Sequence, residues 1–131
     1  MRRTVPVCLL AVLVLAGCSS SGSTADAKPS PTKTVGKADQ YLKTAHGIAF
    51  NGTPSDDELL AYPPQWCQGL DAGHSVKWLF DVTGGGGLYP IGEEWGTAQA
   101  DAYTLLVAGV KAYCPVNSKT VTDELRASGD Y

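Results

Sequence analysis

Residues 103–115, Tyr103-Thr104-Leu105-Leu106-Val107-Ala108-Gly109-Val110-Lys111-Ala112-Tyr113-Cys114-Pro115, decide the fold class. Tyr103, Leu106, Val107, Val110 and Cys114 recur at helical spacing and make one apolar face. Asp101, Thr104 and Lys111 fall opposite. The pattern predicts the last main helix of the chain, from about Glu93 to Tyr113, ended by Cys114-Pro115.

Working upstream, the same period returns in shorter pieces. Lys37 to Ala49 carries Ala38, Tyr41, Leu42, Ala45, Ile48 and Ala49 on one stripe. After the breaker cluster Asn51-Gly52-Thr53-Pro54, Ser55-Asp56-Asp57-Glu58 reads as a capping box ahead of Leu59, Leu60 and Tyr62. Pro63-Pro64 should interrupt that helix, and Pro64 can open the next, over Gln65 to Ala72, with Gly73 as its stop. Cys67 and Leu70 share a face there. Ser75 then caps Val76 to Val82, with Val76, Leu79 and Phe80 inward and Trp78 on a neighbouring face. Four glycines, Gly84 to Gly87, predict a flexible loop. Downstream, Val121 to Leu125 predicts a short turn of helix, and Ser128 to Tyr131 should fray. No segment alternates apolar and polar as a strand would. The expected fold is all-α, a small disulfide-stapled bundle of about four helices after a cleaved signal peptide and a flexible linker.

The N-terminal end is of another kind. Arg2-Arg3 precede an apolar run from Val5 to Leu15. A membrane-spanning helix needs roughly 20 apolar residues. This run is about half that, and a polar tract follows at once, so residues 1–17 read as a signal peptide. Leu15-Ala16-Gly17-Cys18 matches the bacterial lipobox, in which small residues fit the peptidase and the thiol is alkylated. Cys18 is the expected lipidation site. Two acyl chains, of the palmitate kind, anchor stably where one does not. Ser19 rather than Asp follows, which in lipoproteins generally goes with the outer membrane of a two-membrane cell, or the outer face of the membrane in a Gram-positive one. The expected location is the cell membrane, on its extracytoplasmic face. Residues 18–36 are Ser, Gly, Thr, Ala, Lys and Pro with little apolar content, and should form a disordered tether reaching on the order of 25 Å. Residues 37–131 are enough for one small helical domain.

The 131-residue chain carries net −3. Without Arg2, Arg3, Lys28, Lys33 and Asp26, the domain keeps Lys+Arg 6 against Asp+Glu 12, near −6. Nucleic acid binding calls for a basic stripe, so this partner is not expected. An acidic domain is not drawn to anionic lipid either, which leaves the anchoring to the lipid on Cys18. The cysteines then sort themselves. Cys8 leaves with the signal peptide and Cys18 is alkylated. Cys67 and Cys114 remain in an oxidising compartment and are the expected disulfide. Closing a loop that long stabilises by about 4 kcal/mol in the chain-entropy account. There is no C-x-x-C spacing, and two cysteines with scattered His46 and His74 are no ligand set, so neither a metal nor another cofactor is expected.

An acidic helix start (Ser55 to Leu60), then Cys67-x-x-Leu70-x-x-Gly73, then a long Ala-rich helix closing on Ala112-Tyr113-Cys114-Pro115, resembles the "domain of unknown function 732" family. These are small secreted or lipid-anchored helical proteins of actinobacteria. The resemblance covers roughly residues 38–116. It implies a fold and a compartment and carries no reaction. Pro63-Pro64 and the four-glycine loop depart from the pattern.

Candidate chemistry is sparse. The Gly84–Gly87 run lacks a following Lys-Ser/Thr and a preceding strand, so it reads as a linker, not a phosphate loop. Glu93 and Glu94 are paired carboxylates, yet acidic residues are favoured at a helix start in any case. His46 and His74 have no partner motif, and no G-x-S-x-G appears. The aromatics Trp66, Trp78, Trp95, Tyr62 and Tyr89 cluster around the loops. They fill the core or line a partly exposed groove. The expected function is a membrane-anchored cell-envelope lipoprotein, non-catalytic, binding an envelope protein, glycan or lipid, with Trp66, Trp78 and Trp95 as candidate contacts. The alternative is a small envelope hydrolase using carboxylates near Glu93 and Glu94.

Overall fold

The computed structural model describes residues 35–90 and 96–131, and every regular element among them is helical. Met1 to Cys18, most of the tether, Glu93, Glu94 and Trp95 lie outside the described residues. Four helices of nine residues or more make the bundle. They are α1 (Lys37–Ala45), α3 (Tyr62–Asp71), α5 (Gln99–Tyr113) and α6 (Ser118–Ser128). Two five-residue helices, α2 (Asp56–Leu60) and α4 (Val76–Phe80), lie between them in sequence. A 3-10 turn (Pro115–Asn117) leads into α6.

The helix at the centre is α5. It contacts α1, α3 and α6, and it buries Ala102, Leu105, Leu106, Val107, Gly109, Val110 and Ala112. A helix apolar around most of its circumference belongs in a core. It starts at Gln99, not near Glu93. Gly96 takes a left-handed φ of 54° and Ala98 an extended backbone, and neither continues a helix.

Local chemistry explains most of the other boundaries. At α2 the capping box is complete: Ser55 N–H donates to Glu58 Oε2 at 2.8 Å and Glu58 N–H donates to Ser55 Oγ at 3.3 Å. Ser55 N–H, joined by Ser55 Oγ–H donating to the same Glu58 Oε2 at 2.8 Å, holds the Glu58 carboxyl below the usual range. Pro63 and Pro64 lie inside the first turn of α3, so the interruption shrinks to Ala61 alone. First-turn N–H groups have no intrahelical partner, so proline loses nothing there. Gly73 (φ 85°) ends α3, its N–H donating to Leu70 O while His74 N–H donates to Gly69 O. α1 stops at Ala45 rather than Ala49, with Gly47 and Ile48 folding back as a tight turn. α4 stops at Phe80 because Asp81 is extended. α6 is longer than the short turn expected over Val121–Leu125, since both residues bury against the core. Its end stays bonded through Asp130 N–H to Leu125 O.

Trp66 is the largest fully buried side chain. Its ring sits among Tyr41, Tyr62 and Phe80, with centroids 6.3, 5.6 and 6.4 Å away. Its indole N–H donates to Leu88 O at 2.9 Å, which satisfies the one polar atom it takes inside. Gly109 of α5 lies under that ring: a Cβ there would stand 2.9 Å from Trp66 Cζ3. Tyr41 is fully buried too, and its hydroxyl has no hydrogen-bond partner among the described residues. Burial pushes that phenol up.

The disulfide joins Cys67 of α3 to Cys114 just past α5, with Cα atoms 5.8 Å apart and a sequence separation of 47. Beside it, Asn117 Nδ2 donates to Asp71 Oδ1 at 2.8 Å, a second tie between the same two segments. Among the described residues no helix is long and apolar enough to cross a membrane.

Candidate binding groove

Of the tryptophans expected to mark a partner surface, Trp66 is fully buried and Trp78 is half-buried. Trp66 is core, and it is unavailable to a partner because α3 turns it onto α5. The His74 ring stacks on Trp78 at 3.6 Å and 11°, and Gly86 packs against its Cζ3 edge. Trp95, like the carboxylates Glu93 and Glu94, lies outside the described residues.

The glycine run is a loop, as expected, but one tied to α4. Gly86 N–H donates to Trp78 O, Leu88 N–H to Leu79 O and Gly87 N–H to Asp81 O, at 2.7, 2.7 and 2.9 Å. Thr83 and Gly84 N–H groups both donate to Asp81 Oδ1. A phosphate cradle needs such donors free to face a ligand. Here they are spent on the end of α4. Glycine is required for the closeness of this approach: a Cβ on Gly85 would meet Trp78 O at 2.4 Å.

Asp81 and Tyr89, which flank that loop, help line a groove of about 560 Å³, together with residues of α4, the start of α5 and the end of α6. Phe80 is its aromatic centre. Tyr103 of α5 stacks on Phe80 at 5.6 Å and 7°, and Tyr89 meets it edge-on at 5.2 Å and 65°. Both phenols are held. Tyr89 Oη–H donates to Thr97 O at 2.8 Å, and Gln99 Nε2 donates to Tyr103 Oη at 2.7 Å. Burial, and then the neighbouring Tyr103 and Asp101, pushes the Tyr89 phenol up, so it stays neutral and donating.

Three carboxylates share this lining: Asp81, Glu124 and Asp130. Thr83, through its hydroxyl and its N–H, holds the Asp81 carboxyl below the usual range, so it is ionised at neutral pH. Glu124 reaches from α6 to the start of α4, where it accepts Val76 N–H at 3.0 Å and Lys77 N–H at 3.3 Å. The α4 cap is therefore shared between Ser75 and a residue 48 positions downstream of Val76. Lys77 is the one cation among the described residues of the lining. Ser128 Oγ, the hydroxyl nearest in kind to a nucleophile, donates to Leu125 O. The arrangement is suited to stacking and ion pairing. Among the described residues no group of His, Cys, Asp and Glu is placed to hold a metal.

No protein-family model, curated protein or solved structure matches the chain. Sequence spacing puts Phe80 and Tyr103 on inward faces and Tyr89 among the loop aromatics. Glu124 carried no signal at all, because its role depends on α6 crossing the start of α4.

Proposed function

We propose that this protein is a lipid-anchored cell-envelope protein whose helical domain is a non-catalytic binding module. The observation that carries the reading is the groove of Phe80, Tyr89 and Tyr103, aromatic and with both phenols held by hydrogen bonds. Rings fixed by hydrogen bonds present apolar area at little entropic cost to a partner. The anchor is supported by the run of Val5–Leu15 before Leu15-Ala16-Gly17-Cys18. Kinship with the "domain of unknown function 732" proteins is supported by the order Cys67-x-x-Leu70-x-x-Gly73, then Tyr113-Cys114-Pro115.

Two measurements test this. Cys18→Ala should move the protein from the membrane to the soluble fraction and abolish acyl labelling; unchanged partitioning would sink the anchor. A photocrosslinking residue at Tyr89 or Tyr103 should capture an envelope component in intact cells, and one at exposed Lys43 should not. Equal capture at all three positions would remove the groove from the reading.

A further inference from the structure

Resting on that reading, we infer that the groove between α4, α5 and α6 takes a basic peptide segment of a partner protein, seating an arginine along the Phe80–Tyr103 wall among the carboxylates of Asp81, Glu124 and Asp130.

Charge is the first argument. Among the described residues, three carboxylates against Lys77 alone line the groove, in a domain near −6. A concave surface of one sign concentrates ligands of the other. An anionic lipid or phosphate is repelled, and a neutral apolar ligand would cover the carboxylates without pairing them, at a cost in desolvation.

Availability is the second. Glu124 is engaged by the two N–H groups of α4. Asp81 receives its three bonds on Oδ1, from Thr83 N–H, Thr83 Oγ–H and Gly84 N–H. Its Oδ2 takes none of them. Asp130 is exposed, and its carboxylate pairs with no described residue. Two acceptors thus remain beside an aromatic wall.

The third argument selects arginine. A guanidinium stacks flat on aromatic rings and offers a planar fork of donors to carboxylates, which an ammonium does not. The groove, at about 560 Å³, is larger than one side chain fills, leaving room for the flanking backbone. Gln99 and Ser128, also on its lining, supply polar atoms for that backbone.

The probe is a pair of capped pentapeptides, Ala-Ala-Arg-Ala-Ala and its twin with citrulline in place of arginine. Citrulline keeps the shape and removes the charge. Each is titrated into the full ¹⁵N-labelled chain in nonionic detergent micelles. The arginine peptide should shift the amide signals of Lys77, Tyr89, Tyr103 and Ser128 and should weaken as salt rises. The citrulline twin should bind roughly tenfold more weakly, as loss of a charge-assisted bond implies. Asp130→Asn, an exposed change made at a side chain without structural partners, should weaken the arginine peptide about three- to tenfold and leave the citrulline peptide unaffected. Equal binding of the two peptides at the groove overturns the arginine inference while leaving a binding module in place. Shifts confined to other surfaces, no shifts at all, or saturation of the groove signals by a neutral oligosaccharide and not by the arginine peptide, overturn it as well. Failure of the Tyr89 and Tyr103 crosslinks is a separate result and counts against the module itself.

Discussion

Replacing Gly109 by alanine should destabilise the protein, against the general rule for glycine inside a helix. In an open helix, Gly→Ala is worth about 1 kcal/mol in favour of the helix. At Gly109 the new methyl would lie 2.9 Å from Trp66 Cζ3, 3.1 Å from Cε3 and 3.2 Å from Pro63 Cβ. Carbon atoms rest at about 3.5–4.0 Å, so all three contacts are too short. The indole has nowhere to go. It is fully buried, surrounded by three rings, and tied by its N–H to Leu88 O. Overpacking of this kind costs about 1–3 kcal/mol. Setting the helix gain against it leaves a net loss of about 1 kcal/mol, or a melting temperature lower by roughly 4–8 °C in a domain of this size. Valine, with more volume and no helix advantage, should lose about 3 kcal/mol. Thermal and denaturant unfolding by far-UV circular dichroism, with the disulfide intact, measures both. In a Trp66→Phe background, which removes the two indole contacts and leaves the one to Pro63 Cβ, Gly109→Ala should cost less than in the parent. An alanine variant as stable as the parent, in the native background, would refute the close-approach argument.

Three further outcomes follow from the same packing. Cys67→Ser with Cys114→Ser should lower unfolding stability by up to about 4 kcal/mol, seen as a matching shift on treating the parent with reductant. Ser55→Ala should cost about 1 kcal/mol through the lost α2 cap. It should also raise the Glu58 titration midpoint by NMR. Because folding lowers that carboxyl, its contribution is present above the unfolded-state value and fades as pH falls through the folded one, so the variant should show a weaker acid-side loss. Tyr41→Phe removes a buried hydroxyl that has no partner among the described residues, and should raise stability by about 1 kcal/mol in the same unfolding assay; a loss of that size would mean the hydroxyl is satisfied in solution.

The bundle was legible where one-sided burial imposes a period. Leu106, Val107 and Val110 were read as inward from spacing alone, and all three are buried. Leu105, Gly109 and Ala112 are buried as well, because α1 and α3 both press on α5, and spacing on one helix cannot register a second neighbour. Cys67 and Cys114 were legible by elimination among four cysteines. The start of α5 was not: Gly96, with its left-handed backbone and a close approach to Asn51, where a Cβ would stand 2.0 Å from Nδ2, lies just ahead of it, and spacing registers neither. Pro63-Pro64 misled in the other direction, since proline is a breaker inside a helix and neutral in its first turn. The glycine run was recognisable as a loop from composition, but its hydrogen bonds to α4 depend on tertiary contact. The tryptophans were weighed by residue type, whereas their exposure depends on which helix covers them.

The link between Cys67 and Cys114 also makes the chain a closed ring with two tails. The second half of α3, α4, the glycine loop and α5 lie on the ring; α1 and α2 precede it and α6 follows. A protease that clips the exposed Thr83–Gly84 bond therefore opens the ring without parting the molecule. The product stays one particle, heavier by a single water, and separates only when the disulfide is reduced. A cut in the connection between α1 and α2 behaves otherwise, freeing α1 from everything that follows it, covalently if not in packing. Sensitivity to an external protease thus differs along the chain according to covalent topology, and not according to exposure alone.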